Sequence, residues 1–248
     1  MKLSLFLVVI SFLIVGCSGT ELVFEHQTFQ KKTSLPCKEN CPHITVNIPV
    51  AKDVPVVADS INKKVFSVLK QIIYFGEKPY TSTNYKGLLD SFMASYEKMQ
   101  KDFPKDTFGW EAEIEGYVKY ISDSIINIEI KHYTYTGGAH GYQGYRSLLF
   151  DPNTGKSISN DHLFKDRDAF MAFAEKKFRN KYQIPENGSI NATGYQFEDD
   201  QFHLPLTILY TDKGLLLYYN PYEVASYADG PKQLFFPYTE VNAFLALK

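Results

Sequence analysis

Long apolar runs are scarce in this 248-residue chain. The only one lies at the very start, Leu3 to Val15, behind the single cation Lys2. It is too short to cross a bilayer comfortably as a helix and has the charge and position of an export signal. No later stretch is long enough to span. Charge of one sign is also missing: net charge is −2 at neutral pH, and no basic stripe runs along the chain, which argues against a nucleic-acid partner. Gly-x-Ser-x-Gly, phosphate-loop and His-Glu-x-x-His motifs are all absent, so the common signatures of serine hydrolases, nucleotide enzymes and zinc proteases are missing. Heptads, low-complexity tracts and repeats are absent too. There is one tryptophan and there are three cysteines.

Those three cysteines say a good deal. Ile14-Val15-Gly16-Cys17, followed by Ser18-Gly19, reads as a lipoprotein processing site. It predicts a signal peptide over 1–16 and lipidation of Cys17, giving a membrane-anchored, extracytoplasmic chain in the bacterial envelope. Residues 17–34 are polar without a strong period and read as a tether. Pro36-Cys37-Lys38-Glu39-Asn40-Cys41-Pro42 is a short loop between prolines. Three intervening residues let Cys37 and Cys41 form a disulfide, and an exported compartment preserves it. Redox chemistry and zinc binding with His43 are the competing readings. The usual redox motif has two intervening residues, and zinc lacks an identifiable fourth ligand.

What is plentiful is aromatic: 18 tyrosines and 19 phenylalanines, suited to a strand-rich fold with broad contact surfaces. Ile44 to Val50 alternates as a strand. Asp53-Val54-Pro55 is a helix start, and Val57, Ile61, Val65, Val68, Leu69, Ile72 and Ile73 follow at helical spacing. A second helix is expected over Asn84 to Phe103, stopped by Pro104. Trp110 to Ile121, Ser124 to Tyr135 and Tyr142 to Phe150 read as strands, and Asp151-Pro152-Asn153-Thr154-Gly155 as a turn. Asn160 to Tyr182 is mostly helical and 185–200 is a polar loop. Two strands flank Thr211-Asp212-Lys213-Gly214, a short strand covers Gln233 to Pro237, and a helix closes the chain. The order β-α-α-β-β-β-α-β-β-β-α with tight turns predicts an α+β fold, an antiparallel sheet with helices on one face. We divide it into an N-terminal half, 35–135, and a C-terminal half, 136–248.

Candidate chemistry is sparse. Glu111, Glu113 and Glu115 alternate, so a strand puts all three on one face, either as solvated charges or as a contact for a basic partner or a cation. The segment around Tyr135-Thr136-Gly137-Gly138-Ala139-His140-Gly141 stands out most. His140 has three readings: a turn residue bonded to nearby backbone, a metal ligand with His132 and His162 or His203, or part of a recognition loop. Tyr135, Tyr142 and Tyr145, with Gly137 and Gly138, favour recognition, because tyrosine gives large rigid contact area at low entropy cost. We expect these residues and His140 to bind a ligand; no catalytic residue, metal or cofactor is assigned.

The same segment carries a resemblance. Thr136-Gly137-Gly138-Ala139-His140-Gly141, Phe150-Asp151-x-x-Thr154-Gly155-Lys156 and Asp161-His162-Leu163-Phe164 are followed by Asn220-Pro221-Tyr222-Glu223-Val224-Ala225 and Tyr227-Ala228-x-Gly230-Pro231. The pattern, over residues 35–245, resembles an envelope domain found in RsiV-type anti-sigma factors, which bind lysozyme, and in the non-catalytic region of PdaC-type peptidoglycan deacetylases. Neither the sigma-binding segment with its transmembrane helix nor the deacetylase domain is recognisable here. The resemblance therefore implies a binding module for a lysozyme-like muramidase or peptidoglycan, against the alternative of an envelope hydrolase using His140 on cell-wall glycan or peptide.

Overall fold

The computed structural model describes residues 21–105 and 108–248. The export signal and Cys17 lie outside the described residues. The protein is α+β; its described residues form a five-stranded sheet, a three-stranded sheet and four helices. The first sheet has the order β1 (Val23–Lys32), β2 (His43–Lys52), β3 (Glu111–Ile121), β4 (Ile126–Tyr135), β5 (Tyr142–Phe150). The second has β6 (Thr207–Thr211), β7 (Gly214–Tyr219), β8 (Lys232–Pro237).

Three features depart from the expectation. Residues 23–32, read as tether, form β1 and pair antiparallel with β2, Val23 opposite Lys52 and Lys32 opposite His43. The segment shows no clear apolar period because it is an edge strand with little to bury: Phe29 stacks on Tyr85 at 4.5 Å, while much of the rest is polar and exposed. The second departure is parallel pairing of β2 with β3, His43 beside Glu111 and Asn47 beside Glu115. The two helices between those strands form the crossover that a parallel pair requires. The other strand pairs are antiparallel. The first sheet also runs through β5 to Phe150, past the division expected at 135/136.

Helices α1 (Pro55–Ile72) and α2 (Tyr85–Asp102) form as their spacing predicts. Pro55 sits in the first turn of α1, where its missing N–H costs nothing. Asn84 caps α2 by accepting the Gly87 N–H at 2.8 Å. Both lay their apolar sides on one face of the first sheet, where Ile44, Val46, Ile114, Ile128 and Ile130 meet Ile61, Leu69, Leu88 and Phe92 in one core. Each such side chain contributes about 1.5–3 kcal/mol by leaving water. The turn after β5 docks on this layer: Ser60 Oγ donates to Gly155 O at 2.8 Å, and the Asp151 carboxylate accepts the N–H groups of Asn153 and Thr154.

Strand alternation sends the neighbouring residues to the opposite face. There the second sheet covers one end. Leu149 and Ile125 join a separate core with α3 (Arg167–Lys181), Phe164, Phe178, Tyr210 and Tyr219. The joint rests on two buried asparagines. Asn127 Oδ1 accepts the Tyr210 N–H at 2.8 Å, and Asn220 Oδ1 accepts the Tyr145 N–H at 2.7 Å. The closing helix α4 is a single turn, Tyr238–Val241, after which Leu245 bridges to Phe164.

Candidate functional site

The uncovered end of that second face is a platform of polar and aromatic side chains. Register fixes its rows: Lys32, His43, Glu111 and Tyr135 across β1 to β4, then Gln30, Thr45, Glu113, Tyr133 and Gln143 across all five strands. A cleft of about 670 Å³ opens beside the first row, lined by Lys32, His43, Phe108, Glu111 and Tyr135, with the Cys37–Cys41 loop at its margin through Asn40 and Cys41. The disulfide is present, with the two Cα atoms 5.6 Å apart. Glu111 and Glu113 share a face, as alternation requires. His43 Nε2 lies 3.8 Å from Glu111 Oε1 and 3.5 Å from Glu113 Oε1.

The glycine-rich turn rises at the edge of this platform. Gly137 and Gly138 have φ of +105° and +93°, a backbone region that residues with side chains resist. Tyr135 Oη donates to Gly138 O at 3.1 Å and ties the turn down. Gly141 suits its position for a different reason: a Cβ there would lie 2.4 Å from the Tyr133 ring, which would have to shift. His140 stacks on Tyr227 with ring centroids 3.8 Å apart, and its Nε2 lies 3.4 Å from the exposed Tyr222 hydroxyl. Tyr227 Oη donates to Gly141 O at 3.0 Å. Partial burial, and after it the Glu111 carboxylate, push the Tyr133 hydroxyl above its ordinary pKa, so it stays a neutral donor.

The expected site residues therefore divide. Tyr135, Gly137, Gly138 and His140 come together on the platform rim. Tyr145 faces the same side but packs on Tyr218 at 4.4 Å, under the second sheet. Tyr142 points to the other face, beside His132 at a centroid distance of 5.8 Å. Residues 142 and 145 are three apart on one strand, so they cannot share a face. The histidines considered as joint metal ligands do not assemble: His132 is in the helix-side core, His162 pairs with Ser159, and His203 packs against Phe197. Tyr222 and Tyr227 lie in the C-terminal motif, and only the folded chain brings them to His140.

The rim is built from two sequence regions, and each matches a known family. Residues 36–143 match the family model described as Deacetylase PdaC, and residues 161–239 match the one described as Protein of unknown function (DUF3298). The chain thus has one region similar to PdaC and a second similar to DUF3298. The His140–Tyr227 stack links the two matched regions. Among solved structures, a DUF3298 family member from Bacteroides fragilis is similar at a TM-score of 0.65 and 21% identity, covering 92% of this chain and 95% of that one. A DUF3298 family protein from Pseudomonas aeruginosa gives 0.61 and 22%, over 93% and 96%. At these identities the likeness establishes the shared fold. No curated protein matches the sequence.

Proposed function

We propose that this PdaC/DUF3298 protein is a lipid-anchored binding module of the bacterial envelope that recognises a lysozyme-like muramidase or peptidoglycan through the platform and its rim. One observation carries the reading: Tyr133, Tyr135, His140, Tyr222 and Tyr227 adjoin Glu111 and Glu113 on a face the second sheet leaves open. Rigid aromatics supply contact area, and the carboxylates suit a basic protein surface. The hydrolase alternative needs a carboxylate at His140. Among the described residues its polar contacts are the Gly141 carbonyl and the Tyr222 hydroxyl, with Tyr227 stacked on its face.

The test is capture. Residues 21–248, which hold every described element, are immobilised and challenged with lysozyme and with purified peptidoglycan. Retention of either supports the module; retention of neither at micromolar concentration contradicts it. The anchor is tested separately. Cys17→Ala is expected to abolish labelling by a fatty-acid probe and to move the protein out of the membrane fraction. Unchanged labelling would refute lipidation at Cys17.

A further inference from the structure

We propose that His43, Glu111 and Glu113, on the same platform, form a binding site for one divalent transition-metal ion of the zinc type, a property tested independently of envelope-ligand capture. These three donors are one set that the described residues bring together, their ligand atoms all within 4.8 Å of one another. The backbone dictates the grouping. His43 and Glu111 are register partners on the parallel strands β2 and β3, and Glu113 is two residues further on the same face. Zinc takes imidazole nitrogen and carboxylate oxygen at about 2.0–2.2 Å, which around a tetrahedral centre places the donor atoms about 3.3–3.6 Å apart. The separations of 3.5 and 3.8 Å from His43 Nε2 to the two carboxylates need only a small contraction.

The imidazole is also oriented for ligation. His43 Nδ1 lies 3.1 Å from the Cys41 carbonyl. An N–H there donates to that oxygen and leaves the Nε2 lone pair facing the carboxylates, the outer partner that metal-bound histidines ordinarily have. The carbonyl belongs to a cystine residue, so the Cys37–Cys41 bridge braces it. His43 N–H donates to Trp110 O at 3.0 Å, fixing the two strands at this point. Three protein ligands leave a fourth position, and both His43 and Glu111 line the cleft. Lys32 lines it as well, so an anionic oxygen ligand on the open side of the ion would be paired by that ammonium. The donor set, one nitrogen and two carboxylates, favours zinc over calcium, which prefers six to eight oxygens.

The experiment is calorimetric titration of ZnCl2, and separately CaCl2, into the full-length chain in detergent after chelator treatment. The expected result is one zinc per chain, bound at least tenfold more tightly than calcium, with a rise in melting temperature. Affinity should fall at least tenfold in Glu113→Gln and in His43→Gln, with near-ultraviolet dichroism reporting the fold. If His43→Gln does not fold, Glu111→Gln with Glu113→Gln, at partly exposed positions, makes the same comparison. Absent saturable zinc uptake, equal calcium affinity, or uptake unchanged by these substitutions would each overturn the assignment.

Discussion

Lowering the pH from 7.5 to 4.5 is expected to cost the wild-type chain about 2–3 kcal/mol of stability through His132 alone. His132 is 5% exposed, and neither ring nitrogen has a hydrogen-bond partner among the described residues. Burial, and then the charge of Arg146, push its pKa down from 6.5 to about 4. In the unfolded chain the ring protonates as pH falls through 6.5; in the folded chain it stays neutral until about 4. Between those values the unfolded state binds more protons, so stability is full above 6.5 and declines as pH falls towards 4. Urea unfolding of wild type and His132→Phe at both pH values isolates the effect from that of the carboxylates. The difference between the two proteins should shift by about 2–3 kcal/mol in favour of the variant at pH 4.5. Parallel behaviour of the two proteins would show that His132 is protonated in the fold or reaches solvent.

Asn220→Leu should lower the melting temperature by about 5–10 °C, from a loss of about 2–3 kcal/mol. β5 is an edge strand, so the Tyr145 N–H and C=O that point outward need partners from elsewhere. Asn220 supplies them: Oδ1 accepts the N–H at 2.7 Å, and Nδ2 donates to the carbonyl at 3.2 Å. Leucine keeps the volume but leaves a buried donor without a partner, which costs more than the bond was worth. Thr207 Oγ1 still donates to Tyr145 O at 2.9 Å, which limits the loss. The Asn220-Pro221-Tyr222-Glu223 turn is shaped for this, since the Glu223 carboxylate accepts the N–H groups of Asn220 and Leu206. Leu206→Ala, at a side chain 74% exposed, is the control and should change the melting temperature little. A drop of under 2 °C for Asn220→Leu would mean that water replaces the clamp.

The periodic parts of the fold were legible because their signal is local. α1 and α2 bury a stripe at helical spacing, and β3, β4 and β5 alternate strongly enough to be read directly. β1 was not legible, because an edge strand open to solvent has no need of an apolar period. The alternation of Glu111 and Glu113 correctly put them on one face. It gave no access to His43, which reaches them only through a parallel pairing across the α1–α2 crossover. Nearness along the chain misgrouped Tyr142 with Tyr145; strand periodicity, applied to the same residues, separates them. The stacking of Tyr227 on His140 depends on how the C-terminal half seats on the first sheet, and no spacing in the sequence encodes it.

The central claim is that the rim around His140 contacts ligand while Tyr142 serves the fold. The most direct test is the dissociation constant of whichever ligand is captured, lysozyme or peptidoglycan, for wild type, His140→Ala, Tyr222→Ala and Tyr142→Ala, with melting temperatures alongside. The account predicts that His140→Ala and Tyr222→Ala each weaken binding roughly 5- to 30-fold, about 1–2 kcal/mol, at nearly unchanged melting temperature. Tyr142→Ala should instead lower the melting temperature and leave the affinity of the folded fraction intact. Unaltered affinity in both rim variants, or a loss confined to Tyr142→Ala, would contradict it.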